Sequence, residues 1–80
     1  MRNIVTDIRG GDKDSFKEFF EDYYPILCVF SSKYVKNEEQ CKDIAQETLL
    51  SYWEKRADFE DIYKVKGFLY MVARNRCLNY

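Results

Sequence analysis

Only four residues in this 80-residue chain break backbone regularity, one proline and three glycines, and three of them fall in its first third. So few breakers leave little room for turns, and therefore for a sheet of short strands. Apolar residues recur at intervals of three and four, the repeat of a helix. Ile4, Val5 and Ile8 form a short first helical turn that Gly10-Gly11 ends. Asp12 or Asp14 then caps a helix whose face carries Phe16, Phe19, Phe20, Tyr23 and Tyr24. Pro25 either opens a new helix or kinks this one, since proline suits a first turn and not an interior. The run Ile26 to Val35 continues helical with Leu27, Val29, Phe30 and Tyr34.

Asn37, with Gln40 three residues on and Glu38 and Glu39 between, has the pattern of a capped helix start. That helix is expected to reach about Lys55. Residues 57–64, ADFEDIYK, show no helical stripe and read as a loop. A last helix is expected from about Val65 to the end, with Phe68, Leu69, Val72 and Ala73 inward. It carries no terminating glycine or proline, so the chain is expected to be one domain, residues 1–80, of a longer protein. The fold expected is all-α, a compact bundle of three to four helices with a short N-terminal helical turn.

A domain of this length buries only about 60% of the surface its unfolded chain exposes, so its core depends on large side chains. Fourteen of the residues are Phe, Tyr or Trp. No run approaches the ~18 apolar residues of a membrane span, and MRNIVTDIRG lacks the apolar centre of an export signal. A cytoplasmic location is the expectation.

The absence of histidine removes the commonest general base and the commonest zinc ligand together. Cys28, Cys41 and Cys77 are odd in number and widely spaced, with no CxxC. They form neither a disulfide framework nor a zinc site, and small buried apolar residues are the simplest reading. No enzymatic activity, catalytic residue, metal or cofactor is expected.

The net charge of −1 conceals an asymmetry. All fourteen acids and nine of the bases lie in residues 1–61, whereas residues 62–80 hold Lys64, Lys66, Arg74 and Arg76 and no acid. Such a split suggests two partners of different chemistry. In the third helix, Cys41, Ile44, Ala45, Thr48, Leu49 and Tyr52 share the core arc at 100° per residue. Asp43, Gln46, Glu47, Leu50 and Glu54 lie opposite. This is either a solvated face or a protein-docking patch with Leu50 as its apolar centre. In the last helix Lys66, Tyr70 and Arg74 stack four apart. They are either cations snorkelling over a packed core or a surface for single-stranded nucleic acid, with Asn75 able to read a base edge.

Taken in order, DIAQETLLSYWEKR (Asp43 to Arg56), a spacer with Phe59, and VKGFLYMVARNRCLNY (Val65 to Tyr80) resemble region 2 of a bacterial RNA polymerase sigma factor. The nearest group is the extracytoplasmic-function (ECF) type. GDKDSFKEFFEDYY (Gly11 to Tyr24) is similar to the start of that region, and the resemblance spans residues 8–80. It implies that the D-x-x-Q-E helix docks on the β′ coiled coil of core polymerase through Asp43, Gln46 and Glu47, extended by Leu50, Trp53 and Glu54. It implies also that the loop Ala57 to Lys64 and the last helix engage and melt the promoter −10 element on the non-template strand. Tyr63, Lys64, Lys66, Phe68, Tyr70, Arg74 and Asn75 are the DNA-binding candidates, Asn75 matching the family's asparagine. The resemblance admits an anti-sigma factor as a further partner and places −35 recognition in a second domain absent from these residues.

Two departures stand out. Phe68 occupies a position where many ECF sigma factors have tryptophan, and Asp58, Glu60 and Asp61 put acids where phosphate would pass. Two other readings of the residues remain: a helical protein-interaction module without DNA function, and a helix-turn-helix repressor, which fits less well for want of a short glycine turn.

Overall fold

A computed structural model describes residues 2–79. It contains helix α1 (Ile4–Arg9), α2 (Lys13–Ser32), α3 (Glu38–Glu54) and α4 (Ile62–Leu78), with one 3-10 turn, Arg56–Asp58, between α3 and α4. The described residues contain no strand. The fold is the all-α bundle expected.

Every helix begins at an Asn or Asp whose side chain accepts from the otherwise unpaired first-turn amides. Asn3 serves Val5 and Thr6, Asp12 serves Asp14 and Ser15, Asn37 serves Gln40, and Asp61 serves Lys64. Asp12 is thus the cap of α2. Hydrogen bonds from the backbone and hydroxyl of Ser15, foremost among the causes, hold its carboxyl below the usual carboxylate range. Gly11, at φ +92°, makes the turn from α1 into this cap in a conformation that favours glycine.

Pro25 opens no new helix, because α2 runs through it as one element. The amide that proline lacks would have bonded the carbonyl of Glu21, and both residues lie on the exposed side, where water can take its place. Buried Phe19 and Leu27 on either side hold the helix to the core. The helix ends at Ser32, three residues short of the expected Val35. Amides of Tyr34 and Val35 then turn back to the Ser31 carbonyl, both at 3.0 Å, and Val35 is tucked into the core.

The buried face of α3 consists of Cys41, Ile44, Ala45, Thr48, Leu49 and Tyr52, the arc expected from spacing. It packs against Phe19 and Leu27 of α2 and the α4 stripe Val65, Leu69, Ala73 and Cys77. Leu69 and Ala73 are buried as expected, Phe68 and Val72, also expected inward, are half-buried at the edge, and Cys77 is one of the buried cysteines. Aromatic rings link the elements. Phe19 lies 5.1 Å from Tyr52, Tyr52 5.7 Å from Phe59, and Phe59 5.0 Å from Phe68. Cys41 donates to the Val35 carbonyl, and burial pushes the thiols of Cys28 and Cys41 up, away from the nucleophilic thiolate.

Candidate functional site

The outer face of α3 presents Asp43, Gln46, Glu47, Leu50 and Glu54 to solvent, with Leu50 42% exposed among the polar groups. The core packing of the opposite arc fixes the orientation of this face, since rotating the helix would bury carboxylates. Its two borders are tied to neighbours. On the α2 side, Trp53 is half-buried against Phe16, ring centroids 4.8 Å apart, and the Arg56 guanidinium covers the indole at 4.1 Å. Arg56 Nη1 also donates to the Trp53 carbonyl at 2.9 Å. Trp53 therefore borders the α3 face as a packed side chain, with only part of its indole open.

On the α4 side, Arg76 Nη1 donates to Glu47 Oε2 at 2.6 Å and Arg76 Nη2 to Ser51 Oγ at 3.4 Å. One of the four cations of the acid-free segment is thus committed to α3. Lys64, Lys66 and Arg74 make no ion pair among the described residues. Sequence spacing gave no sign of the Glu47–Arg76 pair or of the Arg56–Trp53 stack, because each depends on how the backbone turns after α3.

The connector differs from the loop expected over residues 57–64. Arg56–Asp58 is a 3-10 turn, Phe59 is anchored between Tyr52 and Phe68, and α4 begins at Ile62. Tyr63 and Lys64 consequently stand on the first turn of a helix, Tyr63 being 80% exposed. One of the three connector acids has a structural role and a second makes a solvent-exposed ion pair. Asp61 accepts from the Lys64 amide at 2.9 Å as the cap of α4, and Glu60 lies 3.7 Å from Arg9.

At about 100° per residue the seven α4 candidates fall on two edges of the helix. Tyr63, Lys66, Tyr70 and Arg74 form the edge beside α2, where Tyr70 packs on Phe30 with centroids 5.0 Å apart. Lys64, Phe68 and Asn75 lie roughly 115–155° round on the connector side, where Phe68 meets Phe59. Between the edges, the exposed ridge carries Gly67, Met71 and Leu78. The first edge suits phosphate and a stacking base, the second a hydrogen bond to a base edge beside a ring. No group of three or more His, Cys, Asp or Glu side chains among the described residues could hold a metal ion. No helix among them is long and apolar enough to cross a membrane.

An acidic, leucine-centred helix face beside an acid-free helix with basic and aromatic groups is the pairing the motifs implied. The family model for sigma-70 region 2 matches residues 19–80. The chain belongs to that family. No curated protein and no solved structure matches it significantly. Region 2 of a sigma factor serves binding of core RNA polymerase and recognition of promoter −10 DNA in transcription initiation. The match takes in all of α3 and α4 and the greater part of α2. Residues 8–18, part of the resemblance drawn from sequence, lie outside it.

Proposed function

We propose that this sigma region 2 domain is of the ECF type and divides its work between the two helices. Asp43, Gln46, Glu47, Leu50 and Glu54 on α3, bordered by Trp53, dock on the β′ coiled coil of core polymerase. The connector and α4 engage the non-template strand of the −10 element. The observation that carries this reading is the segregation of charge on a rigid helix pair: acids on the outer face of α3, no acid anywhere in α4.

Strand separation by such a surface needs no covalent step. An unpaired base costs a few kcal/mol to unstack, and stacking on an aromatic side chain returns about 1–3 kcal/mol. Lys66 and Arg74 neutralise phosphate beside Tyr70, while Phe68 and Asn75 offer a ring and an amide to a flipped base. Docking through α3 supplies a high effective concentration for a DNA surface that is weak alone. Recognition of the −35 element falls to a second domain, and the protein acts in the compartment of its polymerase, by binding alone.

Two double substitutions test the halves separately. Asp43→Ala with Gln46→Ala should reduce capture of core polymerase, and Lys66→Glu with Arg74→Glu should abolish promoter-dependent transcription while leaving that capture intact. Unchanged capture in the first pair refutes the docking face; unchanged transcription in the second refutes the DNA face.

A further inference from the structure

The side of α4 that carries Lys66, Tyr70 and Arg74 does not stop at its own helix. Tyr70 packs on Phe30 of α2 at 5.0 Å and Phe30 on Tyr34 at 5.6 Å, with interplanar angles of 59° and 56°. Tyr34 is 45% exposed and Tyr70 36%, so the trio is a tilted aromatic surface open at both ends. The two helices are held together here by Leu27 and the α4 stripe, and Cys77 Sγ reaches the Ser31 carbonyl at 3.9 Å.

Charge follows the same boundary. Residues 23–37 contain Lys33 and Lys36 and no acid, so the acid-free region of α4 abuts a second one. Lys33, Lys66 and Arg74 lack an ion-pair partner among the described residues, whereas Lys36 turns back to the Ser32 carbonyl at 3.4 Å and lies in the groove between α2 and α3 beside Glu38 and Lys42. Glu38 and Glu39, the next acids along the chain, are both engaged by Lys42. Tyrosine rings exposed beside unpaired cations are the combination that binds single-stranded nucleic acid by stacking and phosphate neutralisation.

We propose that Tyr34, seated on Phe30 just past the end of α2, is a second stacking residue for single-stranded DNA, continuing the strand path beyond Tyr70 with Lys33 beside it in the chain. The proposal rests on the reading of the Lys66–Tyr70–Arg74 edge as a DNA surface and extends it onto Phe30 of α2 and the turn that follows, outside the motif that suggested it.

The test is an NMR titration of the full 80-residue chain with a short random-sequence single-stranded DNA oligonucleotide at low salt, which detects weak binding. Ring resonances of Tyr34 and Tyr70 should move upfield together. Tyr34→Ala should weaken binding about 5- to 100-fold, while Tyr34→Phe, which keeps the stacking ring, stays within about twofold. A thermal melt of each variant checks that the fold is retained. If Tyr70 and the Lys66 and Arg74 amides respond while Tyr34 does not, the proposal is overturned and the α4 surface stands. If none of them responds, the α4 reading fails and the proposal falls with it.

Discussion

Arg76 of α4 reaches back to Glu47 of α3 with a donor–acceptor distance of 2.6 Å, and this pair joins the helix assigned to a protein partner with the helix assigned to DNA. Both side chains are substantially solvent-exposed, so the interaction is worth about 0–1 kcal/mol. Glu47→Gln should therefore shift the urea midpoint by less than about 1 kcal/mol in stability, with an unchanged slope. Its effect on polymerase capture can then be read as a lost contact. A large destabilisation would instead make Glu47 a structural residue and remove it from the docking set.

Gly67 occupies the exposed ridge of α4, and nothing lies within 4 Å of where a Cβ would be. A glycine inside a helix costs roughly 0.5–1 kcal/mol relative to alanine. Gly67→Ala should accordingly raise stability by about that amount, an increase of several degrees in Tm for a domain of this size, measured by circular dichroism. A lower Tm would mean that the ridge tolerates no side chain.

The parts of the fold governed by one helix's periodicity could be read from sequence, and the parts governed by contacts between helices could not. All six core residues of α3 followed from spacing, and Asn37 and the Asp12/Asp14 alternative followed from capping chemistry. Of the two readings of Pro25 the new helix does not form: α2 runs through the proline, since burial of Phe19 and Leu27 outweighs one missing hydrogen bond at an exposed position. The start of α4 was missed because Asp61 lies among other acids and aromatics that obscure its role as a cap. Of the α4 residues expected inward, Leu69 and Ala73 belong to the buried stripe with Val65 and Cys77, while Phe68 and Val72, equally apolar and at helical spacing, sit half-buried at its edge. For the candidate site, Lys66, Tyr70 and Arg74 share a face on spacing alone, whereas Tyr63 and Lys64, expected in a loop, stand on α4 because Asp61 caps a helix that starts at Ile62.

Tyr52 is fully buried, its hydroxyl has no hydrogen-bond partner among the described residues, and burial pushes its pKa up from about 10 to about 12. The unfolded chain releases this proton first as pH rises. Its contribution to stability is thus fully present below about pH 10 and is lost progressively between about pH 10 and 12. Tyr52→Phe removes an unsatisfied buried hydroxyl as well as this titration. The variant should be no less stable than the parent at pH 7 and should lose less stability between pH 9 and 11, followed by denaturant unfolding at each pH. A parallel alkaline decline in both proteins would show that Tyr52 ionisation does not drive it.

Asp61 reconciles an acid beside the proposed DNA surface with the needs of the fold, because its carboxylate caps α4 through the Lys64 amide at 2.9 Å. Asparagine can cap equally well without the charge, whereas alanine cannot cap at all. Asp61→Asn should leave stability within about 0.5 kcal/mol, and Asp61→Ala should cost about 1 kcal/mol, both measured by urea unfolding. Removing the negative charge beside Lys64 and Lys66 should at the same time strengthen single-stranded DNA binding by Asp61→Asn, with the gain shrinking as salt rises. If Asp61→Asn unfolds the chain as much as Asp61→Ala, capping is not what the carboxylate supplies. If it stabilises DNA binding equally at all salt concentrations, electrostatic repulsion is not the cause.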